Sequence, residues 1–217
     1  MDTIITIGRE YGSGGHWIGK LVAEQLGIPL YNKELVDRAA KDSGLGELFF
    51  EENDEQYNDS FLFSLIMDSN SFGYASGYMG EMPINEKIFL AEFDAIKALA
   101  AEGPCVFVGR CADYVLRDNP NVLSFFIYAD LQDRVRRIAD IYKISPEEAR
   151  ERIRRTDKNR SSYYNFYTNK EWGKSESYNM CLNSSLFGID GCVDIIKHAV
   201  ELGSPAGLTD PKYENEE

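Results

Sequence analysis

Residues 4–16 have the sequence IITIGREYGSGGH, and this stretch decides the fold class. Residues 4–7 are apolar or β-branched, which indicates a short buried strand, and the glycine-rich run 12–15 follows it closely. Behind the glycines, apolar residues recur at a spacing near 3.6 as far as Gly27, which predicts an amphipathic helix with a glycine stop. A strand, a glycine loop and a helix in this order bring backbone N–H groups and a helix N-terminus to one point, where an anion can bind.

We therefore predict a nucleotide-phosphate site at this loop, formed by Arg9, Gly12, Ser13, Gly14, Gly15 and His16. A purely structural turn is the competing interpretation, because tight turns also need glycine. The loop departs from the Walker A pattern GxxxxGK[ST], since Gly15 and His16 follow Gly14 where that pattern has Lys and Ser or Thr. Arg9 and Glu10 flank the loop, and on proximity alone we predict that they supply the charge that the missing lysine would have given. A dinucleotide fingerprint fits less well, because GxGxxG counted from Gly12 ends on Trp17.

The rest of the chain alternates predicted strands with predicted helices. Strands are expected at 28–31, 105–108, 122–128 and 178–182, and helices at 33–41, 85–102, 131–160 and 191–202. Ser145, followed by Pro146, is the expected N-cap within the third of these helical segments. Such alternation predicts an α/β fold with a parallel sheet covered on both faces, whose ligands bind beyond the carboxyl ends of the strands.

Composition excludes several other classes. The 217 residues carry a formal net charge of -13, which argues against a general nucleic-acid binder. The four cysteines are widely spaced and accompanied by only two histidines, so neither a zinc site nor a disulfide scaffold is expected. No stretch approaches the length of a membrane helix, and the N-terminus enters a strand directly without a signal-like segment, so we expect a cytoplasmic protein.

Four motifs in order along the chain carry a family resemblance. Residues 8–15, 108–113, 157–160 and 183–185 read GREYGSGG, VGRCAD, DKNR and NSS, and together they resemble the cytidylate kinase-like family, a bacterial branch of the nucleoside monophosphate kinases. The resemblance covers about residues 3–200. It implies a P-loop NTPase-type, three-layer α/β/α fold with a five-stranded parallel sheet. It also implies an inserted helical lobe that binds the nucleoside monophosphate, an arginine-rich lid, and transfer of the γ-phosphoryl group of ATP to CMP or a similar acceptor with Mg²⁺.

On this basis we expect one kinase-like domain over residues 1–202, with the inserted lobe at 44–83, the lid region at 131–172 and a flexible tail at 203–217. Residues 44–83 have no clean hydrophobic period and are rich in acidic, aromatic, Ser and Gly residues. The tail mixes Gly, Pro, Lys and Glu, which is typical of a segment that frays.

The candidate site residues are mostly arginines. Arg110 directly follows a predicted strand and is the candidate ligand of the acceptor phosphate, while Arg134, Arg137 and Arg160 belong to a basic run in an otherwise acidic protein and are the candidate phosphate clamp. A solvated helix with intrahelical ion pairs is the alternative for any single arginine. Asp113 is the candidate Mg²⁺ ligand, with capping of the following helix as an equal alternative. Candidate substrate-binding residues are Asn32, Lys33, Arg38 and Asp157.

Two functions of different classes remain open. The first is a kinase acting on a nucleotide or another small molecule, with ATP and Mg²⁺. The second is a nucleotide-binding regulatory protein that keeps the fold but has lost catalysis, which the missing lysine motivates. An oxidoreductase is a third and weaker interpretation. We expect nucleotide and small-molecule partners, with no nucleic acid and no membrane, and leave a homodimer open.

Overall fold

The computed structural model describes residues 3–32 and 84–203. In chain order the elements are β1 (Ile4–Arg9), α1 (Gly15–Leu26), β2 (Leu30–Tyr31), α2 (Ile84–Ala101), β3 (Val106–Val108), α3 (Ala112–Val115), β4 (Val122–Tyr128), α4 (Leu131–Tyr142), α5 (Pro146–Thr168), a 3₁₀ turn (Ser175–Ser177), β5 (Met180–Asn183) and α6 (Ser184–Glu201).

The five strands form one sheet in the order β2-β3-β1-β4-β5. β1 is central and pairs in parallel with β3 and with β4, and β4 pairs in parallel with β5. The predicted five-stranded parallel α/β fold is therefore confirmed. Because parallel strands share one carboxyl edge, the residues after β1, β3, β4 and β5 lie along the same edge of the sheet.

One hydrophobic cluster of the core lies on one face of this sheet. Ile5 and Ile7 point to the same side of β1, since side chains alternate along a strand, and they pack with residues of β3 and β4 at matching positions in the register. α1 covers this face with Ile18 and Val22, and α6 adds Val193 and further apolar residues. On the opposite face, aromatic side chains pack together, with the Phe126 ring 5.2 Å from that of Trp172 and 5.0 Å from that of Tyr178.

Several predicted boundaries need correction. The expected helix 131–160 is two helices, because Lys143 has a left-handed backbone with φ 55° and ends α4 before Ser145 caps α5. α5 then continues to residue 168, beyond the predicted end at 160, and carries Tyr163, Tyr164, Phe166 and Tyr167. The last strand occupies 180–183 rather than 178–182. The last helix begins at 184 rather than 191, with a kink at Gly188 that the sequence pattern did not reveal.

Contacts divide the described chain into two compact units, one formed by residues 3–30 and 103–203 and the other including 31–32 and 84–102. The predicted helix 33–41 and the predicted lobe 44–83 lie outside the described residues, as does all of the predicted tail after residue 203. Among the helices that are described, none combines the length and hydropathy needed to span a membrane.

Candidate active site

The glycine-rich loop lies between the end of β1 and the start of α1. Gly12 and Gly14 have φ angles of 81° and 84°, a backbone region that residues with a side chain rarely adopt. A Cβ atom on Gly12 would lie 3.0 Å from Cγ1 of Ile138, and one on Gly14 would overlap Cδ1 of Ile189. The two glycines therefore allow both the turn and the close approach of α4 and α6.

Ser13 fixes the shape of the loop from inside. Its side chain is buried, and its hydroxyl donates to the carbonyl of Glu10 at 2.9 Å while accepting from the backbone N–H of Gly15 at 3.3 Å. The hydroxyl of Ser184, the first residue of α6, donates to the carbonyl of Ser13. Ser13 thus acts on the loop backbone and joins it to the carboxyl end of β5.

Glu10 ties the loop to the neighbouring strand. Its N–H donates to the carbonyl of Ile127 at 3.0 Å, and its Oε2 accepts from the N–H of Ala129 at 3.0 Å and lies 3.4 Å from Nε of Arg134. Burial raises the pKa of this carboxyl above its ordinary value, against the opposing effects of the Ala129 hydrogen bond and the Arg134 charge. The contacts make Glu10 a link between β1 and β4 at the carboxyl edge.

Arg134 and Asp157 hold the loop from the other side. Nη1 of Arg134 donates to Oδ2 of Asp157 at 2.6 Å and to the carbonyl of Tyr11 at 3.3 Å. Oδ1 of Asp157 accepts from the N–H of Tyr11 at 2.7 Å. The structure therefore places both residues, predicted as phosphate clamp and substrate ligand, against the backbone of Tyr11.

The other two candidate clamp arginines also donate to loop carbonyls. Nη1 of Arg137 donates to the carbonyl of Gly12 and to the hydroxyl of Ser184, both at 3.2 Å. Nη1 of Arg160 donates to the carbonyl of Arg9 at 3.0 Å, and burial lowers the pKa of this guanidinium below its usual value. Arginines from α4 and α5 thus converge on the loop, where Arg137 and Arg160 donate to backbone carbonyls and Arg137 also donates to the Ser184 hydroxyl.

A second group of residues follows β3. Gly109, Arg110 and Cys111 are three consecutive residues with left-handed φ angles of 84°, 59° and 55°. Such a conformation costs of order 1 kcal/mol or more for each non-glycine residue, so the surroundings must enforce it. It places Arg110 directly beyond the strand beside β1, with its guanidinium carbon 6.0 Å from the centre of the Tyr163 ring.

Asp113 lies in the first turn of α3 and contacts α5. The hydroxyl of Tyr164 donates to Oδ2 of Asp113 at 2.6 Å. Burial raises the pKa of Asp113 above its ordinary value of 3.8, although the Tyr164 hydrogen bond acts in the opposite direction. Tyr164 therefore bonds to one of the two oxygens of the candidate magnesium ligand. Across residues 3–32 and 84–203, no three His, Cys, Asp or Glu side chains form a cluster that would hold a metal ion.

The remaining candidates are more scattered. His16 is an exposed residue in the first turn of α1, and Asn32 directly follows β2. Lys33 and Arg38 lie outside the described residues. The sequence patterns predicted no site role for Ser184 or Tyr11, although Ser184 comes directly after a strand, and the rule that predicted Arg110 would also have found it.

Comparisons with known proteins identify the family of this chain. Residues 4–186 match the model of the cytidylate kinase-like family. The chain belongs to this family. Two curated relatives are named cytidylate kinase. The one from Pyrococcus horikoshii is 25% identical over 215 residues, covering 98% of this chain and 96% of the relative. The one from Thermococcus kodakarensis is 33% identical over 109 residues, covering 50% of this chain and 55% of the relative, about half the length of each.

Among solved structures, an uncharacterized protein from Eubacterium ventriosum is similar at a TM-score of 0.69 and 31% identity, covering 92% of this chain and 98% of that one. A shikimate kinase from Bacteroides thetaiotaomicron has a TM-score of 0.48 and 16% identity, covering 92% and 98%. Membership of the family, together with the fold, supports nucleotide-dependent phosphoryl transfer as the general class of activity.

Proposed function

We propose that this protein transfers the γ-phosphoryl group of ATP to CMP or a similar small phosphate acceptor. One observation carries the proposal: α1 begins at the loop with Gly14 as its N-cap, a residue that has no side chain to cap the first N–H groups. The side chain of Ser145 caps α5 and that of Asn183 caps α6, whereas the N-caps of α3 and α4 make no side-chain cap bond. A start of α1 whose glycine N-cap contributes no side chain, at the carboxyl edge of the central strand, suits a polyphosphate.

The cytidylate kinase names of the two curated relatives favour a nucleoside monophosphate as acceptor. An oxygen of the acceptor phosphate would attack the γ-phosphorus of ATP, and the bond from that phosphorus to the bridging oxygen would break to release ADP. The acceptor phosphate is ionised near neutral pH, so no protein base is required. Arg110 would hold the acceptor phosphate, and Arg134, Arg137 and Arg160 would keep the loop in shape for the donor phosphates.

Magnesium would arrive mainly on the phosphates of ATP, where it neutralises charge that develops in the transfer. Asp113 fits this role only in part, because Tyr164 donates to one of its oxygens. In nucleotide kinases Mg²⁺ keeps several waters and substrate oxygens, so a single carboxylate near the site is compatible with the reaction.

Replacing Arg110 with alanine tests the proposed acceptor site. We expect Arg110→Ala to lower kcat/KM for the acceptor by roughly 10²- to 10³-fold, since one positioned charge is lost, while the melting temperature stays near that of the wild type. Release of ADP from MgATP, measured with a panel of nucleoside monophosphates, provides the rates. Arg110→Lys is the control that keeps a charge, and unchanged turnover in Arg110→Ala would remove Arg110 from the site.

The absence of the Walker lysine favours the second function, a nucleotide-binding regulatory protein. The same assay separates the two functions. Calorimetric binding of ATP without ADP release for any acceptor would support the regulatory protein, whereas acceptor-dependent ADP release would support the kinase.

A further inference from the structure

We propose that Arg9 supplies the positive charge that a Walker lysine gives to other phosphate loops, acting from the end of β1 instead of the start of α1. The inference rests on the proposed function, because it assigns a residue to the same phosphate site. The Arg9 side chain passes close to two glycines, Gly15 and Gly109, and these contacts define its position.

The first glycine stands at the lysine position. Gly15 directly follows Gly14, is buried, and opens α1. A Cβ atom on Gly15 would lie 2.5 Å from Cβ and 3.1 Å from Cγ of Arg9, and 3.2 Å from Cβ of Ile127. Real Cβ atoms do not approach another carbon as closely as 2.5 Å. The stem of Arg9 therefore occupies the space in which a lysine at position 15 would have to begin.

The second glycine marks the other end of the side chain. A Cβ atom on Gly109 would overlap Nη1 of Arg9 and would lie 2.9 Å from its Cζ. The guanidinium group of Arg9 thus lies against the backbone of Gly109, at the end of β3, next to β1 in the sheet. Any side chain at residue 109 would displace it.

The Arg9 side chain thus runs from the start of α1, where the donor phosphates would bind, to Gly109, the residue before the proposed acceptor ligand Arg110. The backbone of Arg9 is also fixed, since its carbonyl accepts from Arg160 at 3.0 Å. Arginine binds phosphate oxygens through a planar pair of N–H donors. An arginine at the end of β1 can therefore supply the charge that a lysine at the start of α1 supplies in other phosphate loops.

The sharpest experiment moves the charge back to the Walker position. Arg9→Met, which keeps most of the stem and removes the charge, should lower kcat for ADP release by roughly 10²-fold without lowering the melting temperature. Gly15→Lys alone should also be impaired, because the new Cβ meets Cβ of Arg9. The double variant Arg9→Gly with Gly15→Lys should recover at least about tenfold over Arg9→Met, since glycine at residue 9 removes that clash.

Arg117→Met is the matched control, because Arg117 is an exposed arginine that bonds to the carbonyl of Tyr114, and its kcat should equal that of the wild type. If Arg9→Met keeps kcat within about threefold of the wild type, the assignment of Arg9 is wrong although the kinase function stands. If the swapped double variant is no better than Arg9→Met, the role of Arg9 is not that of the Walker lysine.

A second measurement decides the matter if no acceptor supports turnover. Calorimetry with ATP should then show roughly tenfold weaker binding to Arg9→Met than to the wild type, and equal binding would overturn the assignment. If the wild type binds neither ATP nor ADP, the proposed function fails and the inference fails with it.

Discussion

Asp113 shows how burial changes what a single residue can do. The sequence placed this carboxylate just after a strand, where a magnesium ligand or a helix cap is expected. In the structure it accepts a 2.6 Å hydrogen bond from Tyr164 and joins α3 to α5. Burial raises the pKa of Asp113, and burial together with the nearby carboxylate raises the pKa of Tyr164 as well. The hydrogen bond therefore joins α5 to α3, while burial disfavours the ionised form of Asp113.

The raised pKa predicts how stability depends on pH. A carboxyl whose pKa is higher in the folded state than in the unfolded chain adds stability that is complete below its unfolded value and is lost as the pH rises through the folded value. For Asp113 the loss begins near 3.8 and extends upward. In urea unfolding, the stability of the wild type relative to Asp113→Asn should therefore fall as the pH rises above about 4, by up to about 1.4 kcal/mol per pH unit.

The control for this prediction is Asp118→Asn, which removes the same charge from an exposed side chain. The relative stability of that variant should change little over the same range. A wild type that gains stability over Asp113→Asn as the pH rises would contradict the assigned direction of the shift.

At the scale of elements, α4 and α5 are joined to each other through the glycine loop. Arg134 on α4 reaches Asp157 on α5, and both bind the backbone of Tyr11 between them. Arg137 on α4 and Arg160 on α5 donate to the carbonyls of Gly12 and Arg9. α4 and α5 thus form a frame around the loop, whereas the sequence predicted a single basic helix whose arginines clamp phosphate.

Removing the central arginine of this frame tests its importance. The Arg134 side chain is 10% exposed and faces two carboxylates, Glu10 and Asp157. Arg134→Met would leave both without their partner, and we expect a loss of about 3 kcal/mol in the free energy of unfolding, measured in urea.

Arg136→Met is the matched control on the same helix. Arg136 also makes a 2.7 Å ion pair, with Asp133, but its side chain is 70% exposed. Its replacement should cost less than about 1 kcal/mol, because an exposed pair contributes little. Equal losses in the two variants would show that the Arg134 contacts do not hold the loop.

At the scale of the whole molecule, the parallel sheet brings the ends of β1, β3, β4 and β5 to one edge. The residues that follow these strands include the glycine loop, Arg110, the Ala129 amide that bonds to Glu10, and Ser184. They are far apart in the chain, and the strand order alone makes them neighbours. A nucleotide bound at this edge would contact segments from both ends of the sequence, so its binding should stabilise the fold as a unit.

Nucleotides should therefore raise the melting temperature of the full chain. At a concentration about 100 times its Kd, a ligand of the folded state adds about 2.7 kcal/mol, which corresponds to a rise of roughly 5–10 °C for a chain of this size. We expect this rise with ATP in a thermal-shift assay, a smaller one with sulfate, and none with NAD. If ATP, ADP and sulfate all leave the melting temperature unchanged at millimolar concentration, the loop is a structural turn.

The sequence by itself determined the class of fold and the position of the loop. Local patterns predicted β1, the glycine run and α1, because hydrophobic period, glycine content and a strand-to-helix transition are short-range properties. The Ser145 cap of α5 was predicted for the same reason and is confirmed, with Glu148 completing a capping box.

Only the tertiary structure decided which groups face one another. The contact of Asp157 with Tyr11 spans 146 residues, and that of Ser184 with Ser13 spans 171. The Arg9 side chain lies against Gly15 and Gly109 because β1 pairs with β3 and packs against α1. Side-chain direction is set by such long-range packing and not by local propensity, so the sequence identified the charged residues but not what each of them contacts.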